Sequence, residues 1–230
     1  MKKAFFITGT DTDVGKTTVA AGLLYAAQQQ QLSTLAMKPI ASGCEEFSDY
    51  KKSEQGLRNS DALALIAQSS IKRPYPEINP YAFSPAIAPH IAAQEAGIEL
   101  KVSDLYQKVQ VILQQQADFT LIEGAGGWRV PISDKEFLSD LAIALQLPVI
   151  LVVGVKLGCI NHALLTAAAI ISDGLELAGW VANVVDPNCS RLKENLASLT
   201  TRMPAPCLGQ VPYLAQASAE AVASYLTLTS

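Results

Sequence analysis

Short apolar runs alternate with helical patterns along the whole chain. The runs Ala4–Thr8, Thr34–Lys38, Phe119–Glu123, Val149–Gly154, Trp180–Val185 and Cys207–Val211 are hydrophobic almost without a break and rich in branched or aromatic residues. Continuous rather than alternating apolarity belongs to strands buried on both faces of a parallel sheet. Helical patterns lie between them at Thr17–Gln30, Asp61–Gln68, Asp104–Gln116, Asn161–Ser172 and Arg191–Thr201. Ser60, Ser103 and Ser190 precede three of these and are the predicted N-caps. The strand–helix–strand order predicts an α/β fold, a doubly wound and mostly parallel sheet with helices on both faces. One domain over residues 1–230 is expected, with a long insertion at 41–99 between the second and third predicted strands. That insertion carries Pro74, Pro76, Pro80, Pro85 and Pro89, and an insertion of this length points to function rather than to a second domain.

Composition narrows the classes. Of 230 residues, 50% are hydrophobic and 17% charged, which excludes disorder, collagen and coiled coil. A chain this long can bury its core without disulfide or metal staples. The net charge of −4 excludes nonspecific binding of nucleic acid through a basic surface. Any anionic ligand must then be held by a few local cations and backbone amides. Cys44, Cys159, Cys189 and Cys207 show no CxxC pair and no zinc spacing, so reduced thiols in a cytoplasmic protein are expected. The apolar run Ala4–Ile7 is too short for a signal peptide, and that around Pro148–Val155 is far short of a membrane span.

The strongest chemical signal is Gly9-Thr10-Asp11-Thr12-Asp13-Val14-Gly15-Lys16-Thr17-Thr18, after a predicted strand and at the start of a predicted helix. A Gly-bearing turn lets successive N–H groups point at a phosphate, and the helix N-terminus adds positive potential. Lys16 can reach the β- and γ-phosphates, and the Thr17 hydroxyl can coordinate Mg²⁺. The usual P-loop pattern would put its first glycine at position 10, but here that residue is Thr10 and the glycine is Gly9. The GKT ending and its strand–helix setting still sharpen the fold class to a P-loop NTPase type. The run Phe119–Glu123 ends in a carboxylate at the ligand-binding edge of such a sheet. Glu123 is therefore a candidate Mg²⁺ ligand, and Gly124, Ala125 and Gly126 permit close backbone approach.

Together these segments resemble dethiobiotin synthetases. The resemblance runs through Gly9–Thr18, Met37–Gly43, Arg58–Leu65, Ala88–His90, Glu123–Trp128, Val152–His162, Gly179–Asn183 and Gly209–Pro212, in order over almost the whole chain. It implies an ATP-dependent ligase of biotin synthesis that takes 7,8-diaminopelargonate and CO₂ or bicarbonate to dethiobiotin, ADP and phosphate. The route is a carbamate that ATP phosphorylates before the second amine closes a cyclic urea. Such chemistry is mostly positioning and charge neutralisation. Lys16 and Lys38 are the expected catalytic pair. Lys38 ends the second predicted strand and lies beside the phosphate loop if the first two strands are neighbours.

The resemblance also implies Ser42 as a substrate contact and Asp61 as an Mg²⁺ ligand with Thr17 and Glu123. Asp13 stands where the family usually has Glu, one methylene shorter. Asn183 and Val184, with Pro212, Tyr213 and Leu214, are expected around the adenine. The pair Asn183/Asp186 has the spacing of a guanine-reading motif that here lacks its lysine, so GTP stays an alternative nucleotide. A homodimer is implied, with the substrate's tail reaching the partner at Gly158, Cys159, Ile160 and Asn161, where a helix start suits a carboxylate. The competing class is a regulatory or assembly-type P-loop switch NTPase. Such proteins carry a second lysine early in the loop, where this chain has Thr10, Asp11 and Thr12.

Overall fold

The structure, a computed structural model, describes residues 2–49 and 54–229. Residues 50–53 of the insertion lie outside the described residues. The chain begins β1 (Lys3–Gly9), α1 (Lys16–Gln29), β2 (Thr34–Met37), β3 (Ile40–Ala41), β4 (Glu45–Asp49), β5 (Glu54–Arg58) and α2 (Ser60–Ala67). It continues through α3 (Tyr75–Ile78), β6 (Tyr81–Ala82), α4 (Pro89–Glu95), α5 (Val102–Leu113), β7 (Phe119–Glu123) and α6 (Leu138–Leu145). It ends with β8 (Val149–Val155), α7 (Cys159–Ser172), β9 (Leu177–Val184), α8 (Leu192–Arg202), β10 (Cys207–Val211) and α9 (Ala219–Ala223).

All six predicted strands form one parallel sheet in the order β10-β9-β8-β1-β7-β2. Their unbroken apolarity has the expected cause: every residue of β7 and β8 is buried, because both faces are covered. Successive side chains point to opposite faces. Phe5 and Ile7 join a core with α1, α2 and α9, while Phe6 joins the other core with α5, α6, α7 and α8. The insertion adds Ile78, Phe83 and Ala92 to that second core. It also forms an antiparallel β4–β5 hairpin and a short parallel β3–β6 pair. Among the described residues, no helix is long and apolar enough to cross a membrane.

Several expectations are corrected. The first two strands are not neighbours: β7 lies between them and pairs with both. The cap of α2 is Asn59, not Ser60. Asn59 has extended backbone, so its Oδ1 reaches the N–H groups of Asp61 and Ala62, and Ser60 is already helical. Ser103 and Ser190 do not cap either. The helix α5 starts behind the extended Lys101, and α8 starts behind Arg191, which adopts φ 58°.

Candidate active site

The phosphate loop joins the C-terminal end of the central strand β1 to α1. A Cβ on Gly9 would lie 2.6 Å from Val14 Cγ2, so the loop can fold back onto the strand only because position 9 has no side chain. This is the physical reason for a glycine one residue early. Gly15 takes φ 84°, and a Cβ there would collide with the Asn183 amide. Asp13 holds φ 56° without being glycine, a sparsely populated conformation that marks functional loops. No side chain caps α1, so its first amides point into the loop with the positive end of the helix dipole.

Lys16 is buried and folds over the loop, its Nζ donating to the Asp11 carbonyl at 3.1 Å. Burial pulls its ammonium below the usual lysine value, and Glu123 offsets part of that. Beside it, Lys38 Nζ donates to Asp61 Oδ2 and to Glu123 Oε1, both at 2.7 Å. The Thr17 hydroxyl donates to the same Glu123 Oε1 at 2.7 Å. Burial disfavours the Lys38 charge, yet Glu123 and Asp61 outweigh it and hold the ammonium above its ordinary range. Burial likewise disfavours the Asp61 charge, and Lys38 outweighs it and lowers that carboxyl. Lys38 thus reaches the site without strand adjacency, because β7 delivers Glu123 to its ammonium.

The same oxygens suit a hard divalent cation. Glu123 is fully buried and its Oε2 has no hydrogen-bond partner, a valence left for a ligand. Among the described residues, no cluster of three or more His, Cys, Asp or Glu could hold a metal. A cation here would draw on Thr17, Asp61 and Glu123 and complete its shell with water and phosphate oxygens, which is the habit of Mg²⁺.

Lys16, Thr17, Lys38 and Asp61 face a cavity of about 990 Å³ between the phosphate loop, the turn after β7 and the segment before α4, with the fully buried Glu123 bonded behind them. Asp13, Gly15, Lys16, Thr17, Thr18, Lys38, Ser42, Asp61, Ala125 and Gly126 line it. Ser42 Oγ is buried and unpartnered. Val14 and Gly124 stand behind the wall: Val14 is buried, and a Cβ on Gly124 would touch the Phe6 ring at 3.2 Å.

Other expected residues lie elsewhere. Asn183 is the penultimate residue of β9 and donates from Nδ2 to the Val14 carbonyl at 2.9 Å, which leaves its carbonyl oxygen and second amide hydrogen for a base. Val184, Pro212, Tyr213 and Leu214 are outside the cavity lining. Gly158, Cys159, Ile160 and Asn161 begin α7 and are also outside it. Cys159 is buried there, and that burial raises its thiol. Leu157 beside it is 92% exposed.

Sequence reasoning missed Arg129, which lines the cavity, and the clamp that holds it. Asp173 accepts from Trp128 Nε1 at 2.7 Å and from Arg129 at 2.6 Å. The distance of 44 residues between partners left no local signal for this pair. Lys156 was also missed as a neighbour of the loop; its ammonium lies 3.4 Å from Asp11 Oδ2.

A sequence family described as an AAA domain matches residues 3–221. A protein named ATP-dependent dethiobiotin synthetase BioD from Pseudomonas aeruginosa (strain UCBPP-PA14) is 63% identical over 225 residues, covering 98% of this chain and 96% of its own. One of the same name from Cellvibrio japonicus (strain Ueda107) is 59% identical over 228 residues, covering 99% and 97%. Among solved structures, a ParA family ATPase from Chlorobium tepidum TLS aligns with TM-score 0.55 at 14% identity, over 98% of this chain and 91% of that one. The MinC:MinD cell division protein complex of Aquifex aeolicus gives TM-score 0.56 at 14% identity, over 93% and 82%. Likeness at that identity is one of fold alone.

Proposed function

This chain belongs to the ATP-dependent dethiobiotin synthetase family, and from that premise we propose that it converts 7,8-diaminopelargonate and CO₂ to dethiobiotin. One amine attacks CO₂ and loses a proton, giving a carbamate. A carbamate oxygen attacks the γ-phosphorus of ATP and ADP leaves. The second amine then attacks the carbonyl carbon, expels phosphate and closes the cyclic urea.

The observation that carries the reading is the meeting of Lys16, Lys38 and Asp61 around one cavity beside a phosphate loop, with the buried Glu123 bonded to Lys38 from behind the cavity wall. A carbamate and a γ-phosphate are both anionic, so their approach needs cations already in place. An ammonium has three donors. Two on Lys38 go to Asp61 and Glu123, which centre it and keep it charged, and the third is free for a carbamate oxygen. Lys16 and the loop amides hold the β- and γ-phosphates. Bound Mg²⁺, held by Thr17, Asp61 and Glu123, would neutralise phosphate charge. The unpartnered Ser42 hydroxyl is placed for the substrate's polar head. Asn183 and Val184 at the end of β9, with Pro212, Tyr213 and Leu214 just after β10, are the residues assigned to the adenine.

A homodimer through α7 is part of the proposal. Leu165 and Ile171 are exposed along that helix and Leu157 just before it, and its start at Gly158–Asn161 offers amides to the tail carboxylate of a substrate in the partner. The test uses purified protein with diaminopelargonate, bicarbonate and MgATP, alongside a GTP mixture. Dethiobiotin and diamine-dependent ADP release are expected. ATP turnover indifferent to the diamine would overturn the reading in favour of a switch NTPase.

A further inference from the structure

Lys38, Ser42 and Asp61 come from separate stretches of chain, and one phenol ties their backbones together. Tyr75 opens α3 and is half-buried. Its hydroxyl accepts from the Asn59 backbone N–H at 2.7 Å and donates to Asn79 Oδ1 at 2.9 Å. On one side, Asn59 Oδ1 accepts from the N–H groups of Asp61 and Ala62 at 3.1 and 3.3 Å, and its Nδ2 donates to the Ser42 carbonyl at 3.3 Å. On the other, Asn79 Nδ2 donates to the Lys38 carbonyl at 2.8 Å. Lys38 N–H donates to the Ile78 carbonyl at 2.9 Å, so the end of α3 grips Lys38 from both its N–H and its carbonyl.

Asn59 and Asn79 are both buried, where an unmade hydrogen bond is costly and a satisfied network is rigid. The Tyr75 ring is held as well: the Arg58 guanidinium lies 4.2 Å from its centroid and 5.1 Å from that of Phe47 on the β4–β5 hairpin. A four-residue helix has no stability of its own. Here α3 persists as a bracket between the end of β2 and the start of α2. Burial also keeps the phenol above its ordinary pKa, so the hydroxyl stays protonated and serves as donor and acceptor together.

We propose that Tyr75 is a positioning residue for the ligase reaction, its hydroxyl fixing the spacing of Lys38 and Asp61 through Asn79 and Asn59. This rests on the reading of Lys38 and Asp61 as reaction residues. Misplacing groups by about 1 Å can cost about a hundredfold in rate, and loss of one bond in a braced network is expected to cost about tenfold.

The test compares Tyr75→Phe, which keeps the ring against Arg58, with Asn79→Asp, which removes the donor to Lys38 at constant size. Ile112→Val on α5 is the stability control. The expected result is a kcat for dethiobiotin about tenfold lower in Tyr75→Phe and Asn79→Asp, with KM for ATP within about twofold of wild type. Ile112→Val, at a similar fall in Tm, is expected to keep its kcat. Two results overturn the inference: a Tyr75→Phe kcat within about twofold of wild type, or an equal kcat loss in Ile112→Val. Should Tyr75→Phe not fold, Asn79→Asp decides by the same criteria. Wild-type protein that makes no dethiobiotin refutes the reaction itself, whereas active wild type with unaffected variants refutes only the role of Tyr75.

Discussion

Replacing Lys38 by Met removes a buried cation while keeping most of its volume. In the native protein that ammonium lies 2.7 Å from Asp61 Oδ2 and 2.7 Å from Glu123 Oε1. The two partners are unequal. The Asp61 side chain is 43% exposed and that of Glu123 is 0% exposed. Water can compensate Asp61, so its share of the loss is small, as for surface pairs. Glu123 loses its direct ion pair and keeps the Thr17 hydrogen bond and the more distant charge of Lys16. Breaking one side of a buried pair costs about 3–5 kcal/mol, and this is the expected fall in unfolding free energy at pH 7. Adding Glu123→Gln removes the orphaned charge. The double variant is therefore expected to regain most of the stability and none of the dethiobiotin synthesis. Urea titrations with linear extrapolation measure the first quantity, and product assays the second. A single-variant loss below about 1 kcal/mol, in the range of an exposed pair, would refute the reasoning. So would a double variant no more stable than Lys38→Met.

Three further outcomes follow from the same geometry. Gly15→Ala forces a side chain into the Asn183 amide at φ 84°, so ATP affinity measured by calorimetry should fall by at least about tenfold while the sheet remains folded. The Asp61 carboxyl is lowered in the folded state. Its contribution is therefore present above the unfolded value of about 3.8 and lost as pH falls through the folded value. Asp61→Asn should flatten that part of the acid stability curve, and an unchanged acid limb would contradict the assigned pairing. Burial raises the thiols of Cys44, Cys159 and Cys207, so iodoacetamide on native protein should modify these three slowly and leave synthesis intact. Peptide mass mapping, with unfolded protein as reference, checks it.

The six strands of the sheet were legible because each is covered on both faces, so its apolarity is continuous and needs no partner to be recognised. Their order was not. Nothing local in Thr34–Lys38 says that β7 will insert between β2 and β1, since pairing is decided by how helices cover the sheet. The phosphate loop was legible down to Gly9, whose displacement has a packing cause in Val14. Lys38, Asp61 and Glu123 stood out as charges in matching stretches, but their mutual hydrogen bonds did not. The segment Tyr75–Ile78 sits between Pro74 and Pro80 and is too short for any periodicity, so its helix and its bracket role were invisible. The cap of α2 was misplaced by one residue because Asn59 and Ser60 are both good cap residues, and only the backbone angles choose between them. Asp173 was unreadable for a similar reason: its partners are distant in sequence, and a carboxylate at a helix end gives no hint of a clamp on Trp128 and Arg129.

The central claim is that a carbamate oxygen, held by Lys38, attacks the terminal phosphate of ATP. Its most direct test supplies ¹⁸O-labelled bicarbonate with diaminopelargonate and MgATP and reads the phosphate by mass spectrometry before the label exchanges with water. Because ring closure expels phosphate with the attacking oxygen still attached, the released phosphate is expected to carry ¹⁸O in step with dethiobiotin formed. Unlabelled phosphate accompanying full product formation would contradict the account.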